Sequence, residues 1–292
     1  MLPRPAPPAE RSAALARLLA HLPSSERDAR RHGILDSLAS GAIDSDGLLV
    51  LPSGAAIMAS PVAGAGGILW PPSPCSDHEA SLLVEAAVAW LRSRGARVAQ
   101  SLAEPALAGR GLHLLANGFA LATTLLNLFH PLFLTGEMMR EGVPLRLDPY
   151  DPRRPRLFHD TLEATYEGSL DCPELNGVRT VEEVIEGHLA QGRFDPAAWW
   201  LVHHRDEPAG VVIQCDHDAT EERELAYIGI VPACRRLGLG RELMVRAIGE
   251  TRAAGMSKLV LSVDERNRPA WALYDALGFE EASRHHVYLR VL

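Results

Sequence analysis

Three arginines and two glycines are crowded into Arg235-Arg236-Leu237-Gly238-Leu239-Gly240-Arg241, between a strand-like run, Glu224 to Val231, and a helical one, Gly240 to Ala254. Gly238 and Gly240 remove side chains where a main chain has to come close to a ligand. The first N–H groups of a helix lack intrahelical partners and carry roughly half a positive charge. Arginines beside them add paired hydrogen bonds to phosphate oxygens. A lone Gly-x-Gly is more often a plain turn, but a strand, a glycine-spaced loop, flanking arginines and a helix together suit a diphosphate. All seven residues of the loop are candidate ligands.

The run resembles the central motif of the GNAT acyltransferase superfamily, a strand ending in Val-Pro followed by Arg-x-x-Gly-x-Gly, here Val231-Pro232 and then Arg235, Gly238 and Gly240. A second stretch, Asn267-Arg-Pro-Ala-Trp-Ala-Leu-Tyr274-Asp-Ala-Leu-Gly278-Phe279, is similar to the family's downstream segment of Asn, a helix carrying Tyr, and Gly-Phe. The resemblance covers roughly residues 144 to 292. It implies an α/β (α+β) fold with a mixed, largely antiparallel sheet flanked by helices, splayed between the strands at Glu224–Val231 and Leu259–Val263. It also implies acetyl-CoA as co-substrate, with its pantetheine arm in the wedge. There Gly229, Ile230 and Val231 would offer a strand edge to the arm, one of their N–H groups polarising the thioester carbonyl. Gly229 would mark a bulge that frees this edge.

Moving an acyl group to an amine requires a neutral nitrogen, whereas an amine of pKa near 10.4 is almost wholly protonated at neutral pH. By position Glu224 resembles the glutamate base of the histone acetyltransferase branch; other branches place a glutamate where this chain has Ser262. Tyr274 is the implied general acid for the departing thiolate, with Asn267 on the pantetheine side. Between the first two helices of this half, Glu167, Asp171 and Glu174 are candidate ligands for a cationic acceptor, or else part of a solvated loop capped by Asp171. Asp264, Glu265 and Arg266 read as solvated loop charges.

These residues need a scaffold, and the pattern supplies it. Helices are expected at Leu157 to Tyr166, Val181 to Gln191, Gly240 to Ala254 and Pro269 to Leu277. Strands are expected at Trp199 to His203, Ala209 to Cys215, Glu224 to Val231, Leu259 to Val263 and Ser283 to Leu292. In the first half, helices at Arg11 to His21, Asp28 to Ser40, Asp77 to Arg94 and Gly111 to Asn117 accompany extended pieces at Gly47 to Pro52, Ala55 to Ser60 and Gly67 to Pro72. One offset of 160 residues relates Pro72 to Pro232, Gly95 to Gly255, and Gly118-Phe119 to Gly278-Phe279. The chain therefore reads as two tandem copies of one fold, residues 1–140 and 141–292, with the boundary near Glu141. At that offset Cys75-Ser-Asp-His-Glu-Ala80 stands opposite the glycine loop, Gly64 opposite Glu224, Leu107 opposite Asn267 and Leu114 opposite Tyr274. The first copy is expected to be catalytically silent, an arrangement similar to tandem members of the family such as the mycothiol acetyltransferases.

The remaining properties narrow the class. A formal charge of −8 argues against a nucleic-acid surface and favours a cationic or neutral substrate. Cys75, Cys172, Cys215 and Cys234 are too scattered for a zinc knuckle or a disulfide scaffold and read as free thiols. The proline-broken start and the lack of a long apolar run predict neither a signal peptide nor a membrane span; with free thiols the expected setting is the reducing cytoplasm, and the expected state is a monomer or homodimer. The adjacent pairs His203-His204 and His285-His286 point to opposite strand faces, and no metal is assigned. The expected activity is acetyl transfer to a primary amine of a small molecule or peptide. The alternatives are protein N-terminal acetylation and a non-catalytic acyl-CoA-binding regulator.

Overall fold

The computed structural model describes residues 2–105, 108–133 and 142–292; Leu107 and Glu141 lie outside them. By its contacts the chain forms two compact units, Met1–Ala122 with His285–Leu292, and Thr123–Arg284. The expected division at Glu141 differs from this one in an informative way. Strand β6 (Ala120–His130) and the last strand, β12 (Glu280–Val291), stand at the 160-residue offset. Leu125 to His130 pair antiparallel with Asp264 to Leu259 in the second unit, and His286 to Val291 pair with Ala103 to Val98 in the first. Each unit thus completes its sheet with the final strand of the other copy.

The first unit contains β1 (Arg4–Pro5), α1 (Pro8–Leu18), α2 (Ser24–Ser40), β2 (Leu48–Val50), β3 (Ala56–Val62), β4 (Gly66–Leu69), α3 (Asp77–Ser93), β5 (Val98–Ala103) and α4 (Ala108–Leu115). Its strand order is β1-β2-β3-β4-β5-β12, antiparallel except for the parallel pair β4/β5. Helix α3 covers one face because Ala80, Leu83, Val84, Ala87, Val88 and Leu91 recur at helical spacing and are buried.

The second unit contains β7 (Arg146–Pro149), α5 (Arg156–Tyr166), α6 (Val181–Leu189), β8 (Trp200–His204), β9 (Glu207–His217), β10 (Glu222–Ile230), α7 (Leu239–Ala253), β11 (Lys258–Asp264) and α8 (Arg268–Ala276). Its order is β7-β8-β9-β10-β11-β6, and its parallel pair is β10/β11. The two units therefore share one topology, and α4/α8 and β5/β11 start 160 residues apart.

Two cores lie on opposite faces of the second sheet. Leu239, Leu243, Met244, Ala247 and Ile248 of α7 pack with Leu259, Leu261 and Val263 of β11 on one face. Phe158 and Leu162 of α5 and Ile185 of α6 pack with Trp199, Val211 and Ile213 on the other. Burial of each such large side chain contributes about 1.5–3 kcal/mol. Because β11 alternates, Leu259, Leu261 and Val263 are committed to the α7 core, leaving Lys258, Val260 and Ser262 for the opposite face. No helix among the described residues is long and apolar enough to cross a membrane.

Candidate active site

The parallel pair β10/β11 is in register only from Glu222–Lys258 to Glu224–Val260. Beyond Glu224, β10 runs on to Ile230 beside β9 alone, with a bulge between Leu225 and Tyr227. The bulge sits at Ala226, not at the expected Gly229. Gly229 is required for another reason: a Cβ there would lie 2.5 Å from the Thr165 hydroxyl and 2.7 Å from the Tyr227 ring. The free edge is also narrower than the sequence suggested. Val231 donates its N–H to the Ala209 carbonyl at 2.9 Å, and antiparallel alternation turns Gly229 the same way. Ile228 and Ile230 are left facing the unpaired side.

At the end of β10 the chain enters the glycine loop. Arg236 and Gly238 both take left-handed backbone conformations, φ 65° and 87°; for arginine this costs about 1–2 kcal/mol. Leu239 is buried and fixes the start of α7, whose N-cap, Gly238, supplies no side-chain cap. Among the described residues, the N–H groups of Leu237, Gly238, Leu239 and Gly240 have no main-chain acceptor. A Cβ on Gly238 would meet Val143 at 3.3 Å, and one on Gly240 would meet Leu273 at 3.4 Å. An uncapped helix end framed by exposed Arg236 and half-buried Arg241 fits an anionic diphosphate.

Arg235 behaves otherwise. Its guanidinium donates to the carbonyls of Ile230 at 3.0 Å, Thr165 at 3.0 Å, Glu167 at 2.6 Å and Gly168 at 3.2 Å. It ties the end of α5 to the end of β10 rather than standing open beside the loop. Arg235→Met should destabilise the chain by about 2 kcal/mol, since hydrogen bonds from a charged donor contribute about 1.5–3 kcal/mol. Denaturant unfolding would show it as a lower midpoint at unchanged slope.

The first unit has filled the equivalent place. Its helix α3 begins with a capping box between Ser76 and Glu79. Hydrogen bonds from Ser53 and from the Ser76 N–H and hydroxyl hold the Glu79 carboxyl at about 2. Strand β4 stops at Leu69, one residue past its last pair with β5, so no long edge is left open.

On the α5/α6 face of the second unit, a cleft of about 870 Å³ opens over β10 and β11. Its wall includes Asp216, Asp218, Glu222, Glu224, Arg193, Lys258, Ser262 and Asn127. Three of the four carboxylates have a strongly basic partner. Arg223 reaches Asp216 at 2.6 Å, Arg193 reaches Asp218 at 3.1 Å, and Lys258 reaches Glu222 at 2.6 Å. Glu224 has instead His217 Nε2 at 2.8 Å and Cys215 Sγ at 3.8 Å. Ser262 shares the cleft and donates to Asn127 at 2.7 Å.

None of Glu167, Asp171 and Glu174 lines this cleft. Glu174 is held by Arg266 through two contacts, 2.6 and 3.0 Å. Asp171 accepts the Asp264 N–H at 3.0 Å; withdrawal from water raises its carboxyl, and the Asp264 carboxylate adds to the rise, although part of the residue stays exposed. Asp264 is not a solvated loop charge, whereas Arg266 is exposed as expected but ion-paired with Asp264 and Glu174. Asp264 is fully buried and takes hydrogen bonds from Thr123, the Cys172 N–H and Arg266. The segment joining α5 and α6 is thereby fastened to the end of β11. Glu167 is exposed and contributes its carbonyl to Arg235.

Tyr274 is buried in the α7/α8 core, 5.5 Å from the Phe279 ring. Burial pushes its hydroxyl above the usual phenol value, and Asp171 acts in the same direction. Asn267 caps α8 by accepting the Ala270 N–H at 3.3 Å. His217 escaped the sequence reading because the strand was expected to end at Cys215. The hairpin register shows the missing signal: Cys215 lies opposite Glu224, so His217, two residues on, shares its face.

Residues 162–279 match the Acetyltransferase (GNAT) family. The chain carries a GNAT acetyltransferase domain. It is 31% identical over 167 residues to a mycothiol acetyltransferase of Thermomonospora curvata, 56% of this chain and 54% of that protein. A second relative, the mycothiol acetyltransferase of Thermobispora bispora, is 30% identical over 185 residues, 60% of this chain and 61% of its own. The chain thus spans a little over half the length of these two relatives. Among solved structures, a GCN5-related N-acetyltransferase from Sphaerobacter thermophilus superposes with a TM-score of 0.61 at 17% identity, over 99% of this chain and 95% of that one. The likeness covers the fold of the GNAT domain and of the unit that accompanies it.

Proposed function

We propose that the protein is an acetyl-CoA-dependent N-acetyltransferase acting on a small polar primary amine. The observation that carries this reading is Glu224, the carboxylate of the cleft wall with no arginine or lysine partner among the described residues, standing where β10 and β11 part. It accepts the proton of the incoming ammonium. His217 holds the carboxylate in place, and the Ile230 N–H polarises the thioester carbonyl. The amine nitrogen bonds to the acetyl carbon, the carbon–sulfur bond breaks, and the Tyr274 hydroxyl protonates the leaving thiolate. Raised by burial, Tyr274 keeps its proton at neutral pH. The uncapped start of α7, with Arg236 and Arg241, holds the diphosphate.

Direct transfer is supported by the cysteines: burial pushes the thiols of Cys172 and Cys215 up to about 12, so neither is a thiolate nucleophile at neutral pH. The cleft volume suits a small molecule better than a folded protein surface. Two relatives carry the name mycothiol acetyltransferase, which fits a small-molecule acceptor. In this reading the first unit is catalytically silent, since Glu79 already occupies its helix start.

The test is release of free coenzyme A thiol with a panel of amines and peptides. Amine-dependent release with intersecting double-reciprocal lines is expected; no acceptor-dependent release alongside tight acetyl-CoA binding would favour a binding regulator. Tyr274→Phe should leave acetyl-CoA affinity unchanged and lower kcat roughly a hundredfold. An unaltered kcat in that variant removes Tyr274 from the mechanism.

A further inference from the structure

Glu224 shares its site with two other metal-ligand types. Cys215 and His217 project from one face of β9, and Glu224 meets them from β10. The Cys215 Sγ lies 3.8 Å from Glu224 Oε2 and 3.9 Å from His217 Nε2, which is 2.8 Å from the same oxygen. Tetrahedral zinc, with bonds of about 2.3 Å to sulfur and about 2.0 Å to nitrogen and oxygen, sets its ligands roughly 3.3–3.6 Å apart. The three atoms bracket that spacing, so side-chain shifts of about half an ångström would centre a cation among them.

We infer that Cys215, His217 and Glu224 form a binding site for a thiophilic divalent metal of the zinc class, and that its occupation withdraws Glu224 from acetyl transfer. The second clause rests on the proposed function; the first does not. On binding, a metal–sulfur bond forms as the Cys215 proton leaves to solvent, His217 ligates through Nε2 with its proton on Nδ1, and Glu224 ligates as carboxylate. No electrons are exchanged. His217 and Glu224 line the cleft, which leaves the fourth tetrahedral position open to water. Cys215 lies beneath them, buried. Hard cations such as magnesium and calcium prefer all-oxygen ligand sets and are poorly matched to a sulfur, a nitrogen and a single carboxylate.

A second cluster, Asp171, Cys172 and Asp264, has similar spacing but different chemistry. The Asp264 oxygens already accept from Arg266, Thr123 and a main-chain N–H, and the Arg266 guanidinium sits where a cation would repel it. The Glu224 cluster holds only groups that can themselves ligate.

Cobalt(II) is the probe. Added to metal-free full-length protein, it should give one equivalent of a thiolate-to-cobalt charge-transfer band with tetrahedral d–d absorption. Cys215→Ala should lose the band, and His217→Ala, altered at a half-exposed position, should lose it without disturbing the core. Zinc should inhibit acetyl transfer by the unmodified chain. In Cys215→Ala, basal turnover should persist while the zinc concentration for half-inhibition rises at least tenfold, since even outer-shell changes weaken metal sites by about 10–100-fold. Absence of the band in the unmodified protein, or its persistence in both variants, overturns the site. A normal band together with zinc-insensitive turnover overturns the inhibitory role and counts against Glu224 as base, with the metal site standing.

Discussion

Gly238→Glu is expected to abolish acetyl-CoA binding while leaving a folded chain. Gly238 sits at φ 87°, and a Cβ there would come within 3.3 Å of Val143. The left-handed conformation alone costs an L-residue about 1–2 kcal/mol, which Gly238→Ala would isolate as a modest loss of stability. The glutamate adds a larger electrostatic effect. Its carboxylate would sit at the N-cap of α7, a 15-residue helix with no side-chain cap, and would take the N–H groups that otherwise face the diphosphate. The first unit is the natural precedent, for there Glu79 caps α3 within its own helix. Calorimetric titration should show affinity falling at least a hundredfold in the Glu variant, with a smaller change in the Ala variant. Equal affinities in the Glu variant and the unmodified chain would mean that the diphosphate binds elsewhere.

The same comparison shows what the sequence could reveal. The glycine loop, α7 and α8 were legible because each is specified locally: an N-cap glycine, a helical stripe from Leu239 to Thr251, an Asn267 cap. Strands β5 and β6 were not anticipated. Val98-Ala-Gln-Ser-Leu-Ala103 is short and mixed in polarity, and Ala120 to His130 reads equally as a helix. The exchange of β6 and β12 was invisible because two copies of one fold offer each final strand two equivalent partners, and only long-range packing decides between them.

The site residues divide in the same way. Arginines near a glycine loop look alike in sequence, yet Arg235 is bound by four carbonyls, among them those of Thr165 and Gly168, far away in the chain. Asp171 and Glu174 looked like free carboxylates because their partners, the Asp264 main chain and the exposed Arg266, lie about 90 residues away in the chain. The position of Glu224 was readable from its distance to Val231. Its partner His217 was not, since it required the hairpin register.

Glu224→Gln tests the centre of the proposal. The amide is nearly isosteric and can still accept a hydrogen bond from His217, so the thermal midpoint and acetyl-CoA affinity should change little. It cannot take a proton from an ammonium. For an amine of pKa near 10 the neutral fraction at pH 7 is about one in a thousand, and loss of a positioned base should lower kcat about a hundredfold or more, roughly 2.7 kcal/mol of barrier. The deficit should shrink as the acceptor's pKa falls, because an amine that is already neutral has no proton to surrender before it attacks. Rates of both forms across amines of graded basicity separate this from misfolding or lost binding, either of which would lower all rates alike. A deficit independent of amine pKa would assign Glu224 to holding the acceptor, and the proton would then have to leave by another group of the same cleft.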